Sequence, residues 1–282
     1  MAISIRTFSD ADLEAADGIL SSAFQRAESW QPELRLFQRL QPDGIFLASR
    51  DGMPSGMVAS IIYSDYAYVG LMGIHQDFQR QGLGLALMEH LLAWMEEQKV
   101  PLVKLDASSA GQPLYEKLGF IPLDEVYVFQ QRADLLDCQH PRGIHLITTQ
   151  VLDLVAASDI QAFGADRRRL LQALLEAYPM RAFRTMNEQG QVSGYLIAQA
   201  KRIGPWIMNE STDAERLLLA ALSLPFDGKV SVITPANNRE AVSLLKRYGF
   251  QIVRVNRHMA YGPGAFNGQR EKVYGQTSLS FG

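Results

Sequence analysis

The sequence predicts an α/β protein built from two related domains. Three observations carry that prediction. Strand-like and helix-like segments alternate along the chain. The 282 residues exceed the ~100–200 of an average domain. A helix–Gly–Phe unit also occurs twice: a shift of about 130 residues sets Leu114-Tyr115-Glu116-Lys117-Leu118-Gly119-Phe120 on Leu244-Leu245-Lys246-Arg247-Tyr248-Gly249-Phe250. The apolar runs ahead of these units, Leu102 to Leu105 and Val230 to Ile233, align almost in register.

The elements follow in order. Ile3 to Arg6 reads as a short strand. Ser9 caps a helix whose apolar face is Leu13, Ala16, Leu20, Ala23 and Phe24. After a turn at Gln41 to Gly44, Phe46 to Ser49 and Gly56 to Ile62 are strands, joined by an Asp51-Gly52 hairpin signal. Tyr68 to Ile74 is an apolar run interrupted by Gly70 and Gly73. Beyond Gln79-Arg80-Gln81-Gly82-Leu83-Gly84 comes an amphipathic helix with Leu87, Met88, Leu91, Leu92 and Met95 on one face. Pro101 ends it, and Leu102 to Leu105 is a buried-strand candidate. Pro113 to Leu118 is a short helix closed by Gly119, and Val126 to Gln130 is a strand. The polar segment around His140-Pro141-Arg142-Gly143 divides the chain into domains at 1–133 and 144–282, with a linker at 134–143. In the second half, Asn187 to Gly190 turns the chain before Gly194 to Ala198.

Composition narrows the function. The chain is 47% hydrophobic and 20% charged, as packed globular proteins are. A net charge of −3 gives no basic footprint for nucleic acid. The run Arg167-Arg168-Arg169 reads as an exposed helical turn. The single cysteine, Cys138, has no partner for an internal disulfide and reads as an inert linker residue in a reducing compartment. Met1 to Asp10 has no apolar signal core, and no run approaches the ~18 apolar residues of a membrane span. A cytoplasmic protein without membrane or metal partners is expected.

The chemistry concentrates at Gln79 to Gly84. A glycine-rich turn between strand and helix presents backbone N–H groups at the positive end of the helix dipole, an anion site. Gly82 and Gly84 remove side chains from the approach of a pyrophosphate, and Arg80 adds positive charge. This segment resembles the Gln/Arg-x-x-Gly-x-Gly/Ala signature of the GCN5-related N-acetyltransferases. The segment Leu114 to Phe120 resembles that family's later helix, whose tyrosine sits near the thiol of coenzyme A. The two motifs stand in the family's order, about 30 residues apart, and the resemblance covers roughly Ile3 to Gln131.

The resemblance implies a mixed, mostly antiparallel sheet splayed open between two neighbouring strands and flanked by helices. Acetyl-CoA is then the co-substrate, and a small-molecule or peptide amine is the acceptor. Backbone groups of Met72, Gly73 and Ile74 would meet the pantetheine, and Arg80, Gln81, Gly82, Leu83, Gly84 and Leu85 the pyrophosphate. Ser108 stands where the family often has an asparagine contacting the cofactor, with a shorter reach. Tyr115 would be the general acid: its ordinary pKa of ~10 is close to the ~8.5 of a thiol. The general base is open among Asp65, His75, Asp106 and a water relay. An alternative is a non-catalytic acetyl-CoA-binding module in which Tyr115 only packs. A nucleotide triphosphate enzyme is disfavoured, because the loop lacks a Gly-Lys-Ser/Thr ending.

The second domain keeps the frame without this chemistry. Leu245 aligns with Tyr115, and Met208-Asn209-Glu210-Ser211 replaces the glycine pair. The stretch Phe163 to Leu171, with Gly204-Pro205 and Tyr261-Gly262-Pro263, resembles the C-terminal domain of tandem acetyltransferases, which is taken to shape the acceptor side. There Asp166 and Arg167 are candidate substrate contacts or simply a helix start.

Overall fold

The computed structural model describes residues 2–132, 141–265 and 267–282. Cys138 and most of the predicted linker lie outside the described residues. In the first half, β1 (Ile3–Thr7) leads into α1 (Leu13–Phe24) and α2 (Gln31–Leu40). The strands β2 (Ile45–Arg50), β3 (Met53–Ile62) and β4 (Ala67–Ile74) follow, then α3 (Leu83–Glu97), β5 (Val103–Ala107), α4 (Gln112–Lys117) and β6 (Ile121–Gln131). The second half begins with β7 (His145–Leu146), α5 (Leu152–Phe163), α6 (Arg168–Ala177), β8 (Ala182–Met186), β9 (Val192–Ala198) and β10 (Arg202–Met208). It ends with α7 (Ala214–Leu222), β11 (Ser231–Pro235), α8 (Arg239–Arg247), β12 (Phe250–Tyr261) and β13 (Val273–Gly275).

Local chemistry accounts for most of these elements. Asp51 and Gly52 both have positive φ, 49° and 85°, the geometry that a two-residue hairpin needs to match strand twist. Helix α3 buries Leu83, Leu87, Met88, Leu91 and Met95, close to the stripe read from the sequence. Helix α2 was not anticipated. Pro32 stands in its first turn, and Leu34, Phe37 and Leu40 form its buried face.

The strands form a mixed, mostly antiparallel sheet in the order β1-β2-β3-β4-β5-β12-β6-β11-β10-β9-β8-β7, with β13 added to β10. Strands β4 and β5 run parallel, paired only at Ala67, Tyr68 and Val69 against Val103, Lys104 and Leu105. Past Val69 they part. Leu71, at φ 51°, marks a bulge in β4 where its register with β3 shifts. The second half repeats the parallel pair as β10 and β11, at Arg202 and Ile203 against Ser231 and Val232.

The halves are joined by exchange. Strand β12 lies between β5 and β6, and β6 lies between β12 and β11. Each half therefore receives the last long strand of the other. Residues 276–282 then return across the first half. The Phe281 ring stacks on Phe37 at 4.3 Å, and the Tyr63 hydroxyl donates to the Phe281 carbonyl at 2.9 Å. This passage explains Gly70: a Cβ there would lie 2.5 Å from Ser280 Cβ and 2.7 Å from the Ser280 carbonyl oxygen.

Arg167 is a structural residue rather than a substrate contact. Its guanidinium is fully buried and donates two 2.8 Å bonds to Asp159, with Nη1 reaching Thr277 Oγ1 at 3.1 Å. Asp166 accepts from the Arg168 backbone N–H at 2.8 Å and so opens α6.

The exchange has a measurable consequence. A single proteolytic cut within 134–143 should leave the two pieces together, eluting at the 31.4 kDa position of the intact chain. Separation of the pieces in native buffer would contradict the exchanged sheet.

Candidate active site

The opening between β4 and β5 organises the site. Met72, Gly73 and Ile74 lie on β4 past its last pair with β5, so this edge carries backbone groups with no strand opposite. Gly73 faces α1, where a Cβ would stand 3.0 Å from Leu20 and 3.2 Å from Ala23.

The loop ahead of α3 is shaped by its own glutamines. Gln79 Nε2 donates to the Ile74 carbonyl at 3.1 Å, and Gln81 Nε2 to the Asp77 carbonyl at 2.9 Å. Gly82 is the N-cap of α3 at φ 88°, a conformation that a side chain strains. The first helical bond runs from the Ala86 N–H to the Gly82 carbonyl, so the N–H groups of Leu83, Gly84 and Leu85 start the helix without helical acceptors. The two glycines do different work. Space around Gly82 is open, whereas a Cβ on Gly84 would lie 3.3 Å from Leu114 and 3.4 Å from Met72. Gly84 therefore also lets α3 pack close to α4 and β4.

Tyr115 projects from α4 into a cavity of about 290 Å³ that also takes in Leu71, Met72, Leu105, Asp106 and Ser108. Its hydroxyl has no hydrogen-bond partner among the described residues, and burial raises its pKa. Ser108 accepts from the Gly111 N–H with Oγ at 3.2 Å and with its carbonyl at 3.0 Å, which fixes the turn into α4.

Of the three base candidates named from sequence, Asp106 alone lines this cavity. His75 caps the turn after β4, accepting from the Asp77 N–H at 3.4 Å, and Asp65 is exposed beside Ser64. Asp106 lies opposite His258 in the β5–β12 ladder. It accepts from His258 Nδ1 at 2.8 Å, the Tyr68 hydroxyl at 2.7 Å and Gln276 Nε2 at 2.8 Å. Burial alone would raise the carboxyl; the His258 and Tyr68 bonds and the charge of Arg270 outweigh it and hold Asp106 below the usual range. Burial first, then the nearby Arg270, pushes His258 down to about 4, so the imidazole is neutral and donates from Nδ1. Sequence reasoning missed His258, Gln276 and the β12 residues Arg254 and Asn256. Among the described residues, no cluster of three or more His, Cys, Asp or Glu side chains is placed to hold a metal ion. No helix among them is long and apolar enough to cross a membrane.

The fold and the site define an acyltransferase that moves groups other than aminoacyl. A model of the acetyltransferase (GNAT) family matches residues 13–120, and a model of an acetyltransferase (GNAT) domain matches residues 155–275. The chain belongs to the GNAT acetyltransferases and carries two domains of that family in tandem. It is similar to an uncharacterized N-acetyltransferase of Bacillus subtilis, 27% identical over 202 residues, which are 68% of this chain and 69% of the relative. It is also 33% identical over 78 residues to the Escherichia coli [ribosomal protein bS18]-alanine N-acetyltransferase, covering 27% of this chain and 53% of that protein. Among solved structures, a candidate acetyltransferase from Pyrococcus horikoshii superposes with a TM-score of 0.88 at 26% identity, covering 99% of this chain and 96% of that one. A GCN5-related N-acetyltransferase from Sphaerobacter thermophilus shares the fold, with a TM-score of 0.69 at 17% identity over 93% of this chain and 97% of that one.

The buried pair predicts a pH dependence. His258 sits below its ordinary 6.5, so the stability it contributes as a neutral group is present above pH 6.5 and is lost as pH falls through about 4. The full loss is on the order of 3 kcal/mol, at 1.36 kcal/mol per pKa unit. His258→Asn keeps a donor for Asp106 but cannot be protonated. Chemical denaturation between pH 7 and 4.5 should show a shallower decline for that variant than for the wild type; equal slopes would remove His258 as the titrating group.

Proposed function

We propose that this chain transfers an acetyl group from acetyl-CoA to a primary amine, with Tyr115 as the general acid. The observation that carries the reading is the shared cavity. One wall is the opened β4 edge and another presents the Tyr115 phenol. The alternative of a non-catalytic acetyl-CoA-binding module leaves that buried, proton-holding phenol in the cavity without a task.

The residues present fit coenzyme A. Met72, Gly73 and Ile74 would pair with the pantetheine amides. Gly82 gives the loop its left-handed turn, and the N–H groups of Leu83, Gly84 and Leu85 point the helix dipole at the pyrophosphate, with Arg80 and Gln81 at its rim. Ser108 lies on the thiol side with Tyr115. Acetyl-CoA supplies an activated acetyl thioester, whose C–S bond breaks as the acceptor nitrogen forms its N–C bond.

The chain's own groups manage the protons. Burial keeps the proton on Tyr115 Oη in the resting site, and the same burial penalises a departing thiolate, so the proton passes from Oη as the C–S bond breaks. Asp106 is held ionised, but its carboxylate is buried behind the cavity wall with both oxygens filled by protein donors. The acceptor arrives as an ammonium. The ammonium must lose a proton before attack, and a carboxylate held at low pKa is a weak base, so that proton leaves through water in the cavity. In this reading residues 1–133 carry the cofactor and the acid, and residues 144–282 complete the acceptor side.

Two substitutions separate binding from chemistry. Gly84→Val places methyl groups into the Leu114 and Met72 contacts at the head of α3. It should weaken CoA binding at least tenfold, about 1.4 kcal/mol, by calorimetry on folded protein. Tyr115→Phe removes only the hydroxyl. It should lower kcat at least tenfold, within the ~10²–10⁴ range of general acid catalysis, while the acetyl-CoA Kd moves less than about threefold. Full turnover in Tyr115→Phe, with chemistry rate-limiting, would make Tyr115 a packing residue.

A further inference from the structure

The acceptor side of the cavity is short of partners. Trp30 Nε1 and Arg202 Nε are buried donors with no hydrogen-bond partner among the described residues, and Asn256 Oδ1 is a buried acceptor in the same condition. All three residues line the cavity that holds Tyr115. Buried polar groups are nearly always satisfied, and an unmade bond costs about 1–3 kcal/mol. Three such groups converging on one cavity mark a place for a polar ligand.

The charges specify which ligand. Arg26 stands 3.1 Å from Glu28 and 3.5 Å from Glu33, so its charge is matched. Arg202 spends one bond on the Thr277 carbonyl at 3.2 Å and has no ion pair among the described residues. Arg254 has neither ion pair nor hydrogen bond there, and it follows a register shift in β12 at the cavity wall. On the other side stands Asn256, whose Nδ2 reaches the Asp106 backbone carbonyl at 3.4 Å and whose Oδ1 is left as an unpaired acceptor. The lining therefore offers the unpaired guanidinium of Arg254, with Arg202 partly balanced by Glu33, and, separately, an amide oxygen. A ligand complementary to both carries a positive and a negative group.

The cavity volume of about 290 Å³ lies at the bottom of the ~300–1,000 Å³ range for small-molecule sites. Ser278, Leu279 and Ser280 form one wall. That space suits a small molecule better than a polypeptide end.

We infer that the acceptor is a small primary amine bearing an anionic group, a carboxylate or a phosphate, its ammonium received by the Asn256 amide oxygen and its anion by Arg202 and Arg254. The inference rests on the acetyl-transfer reading above and adds the substrate class.

Thiol release should be followed with saturating acetyl-CoA and a panel of matched amines: amino carboxylates, their methyl esters, aminoalkyl phosphates, the corresponding amino alcohols, and a short peptide with a free N-terminus. At least one acidic series should exceed its neutral counterpart tenfold or more in kcat/KM, and the two series separate carboxylate from phosphate. Arg254→Gln should collapse that ratio toward one through KM, while kcat for the acidic amine changes less than about threefold. As a readout independent of turnover, the N-acetylated acidic product should raise the wild-type Tm more than its ester does, and Arg254→Gln should lose that difference. Equal rates for acids and esters, a preference for the peptide, or an unchanged ratio in Arg254→Gln each overturns the substrate class while leaving acetyl transfer intact. Thiol release with none of the amines, in protein that binds CoA, overturns the transfer reading and this inference with it.

Discussion

The exchange of β6 and β12 is the constraint on which the rest of the structure depends. Strands β5 and β11 each meet a long antiparallel partner from the other half, and the edges that would otherwise end each half are paired away. The β5–β12 ladder sets His258 against Asp106 and Arg257 against Ala107, so the register of a strand from the second half fixes the chemistry of a strand from the first. A slip of one residue would turn His258 to the opposite face and leave Asp106 without that donor. The second half has lost its own loop and tyrosine, yet it cannot be dispensed with. It supplies Arg254 and Asn256 to the cavity around Tyr115, and His258 and Gln276 to the network around Asp106.

What the sequence revealed divides along the same line. Everything local was legible: the Asp51-Gly52 hairpin, the apolar stripe of α3, the glycine-rich turn before it, the short helix carrying Tyr115, and the duplication. Helix α2 was also within reach, since Leu34, Phe37 and Leu40 keep helical spacing behind Pro32. The exchange was not legible. Phe250 to Tyr261 reads as the last strand of the second repeat, and no periodicity tells which neighbour a strand will pair with. His258, Arg254 and Asn256 looked like ordinary polar positions in a strand for that reason. Asp106 was named only as one of three equal candidates, and three donors from distant segments single it out. Arg167 shows the converse error. A run of three arginines suggests an exposed turn, but its first member is buried because Asp159, Tyr195 and Thr277 gather around it.

Residues 276–282 close the assembly by threading between the halves. Gly70 is kept bare for Ser280, and Phe281 fills the space over Phe37. Gln276 ties the same segment to Asp106 and to the Tyr68 hydroxyl. The segment thus joins the stability of the interface to the polar network of the site, and disturbance of either is felt in the other.

The electrostatics of the cavity follow from this packing. Burial raises the pKa of a phenol and of a carboxyl alike, because it penalises the charged form of each. Tyr115 receives no hydrogen bond or charge that would relieve the penalty, so it stays protonated. Asp106 receives three donors and the field of Arg270, so it ionises despite deeper burial. The cavity therefore presents a phenol that keeps its proton, while a carboxyl that gives its proton up is buried behind the wall. The separation is produced by where the donors are, and the donors come from β4, β12 and residue 276. Environments that drive two titratable groups apart in this way suit one to donating a proton and the other to anchoring the donors packed around it. In this protein neither half could arrange that alone: the first brings the acid, the carboxylate and the Tyr68 donor, and the second brings His258 and Gln276.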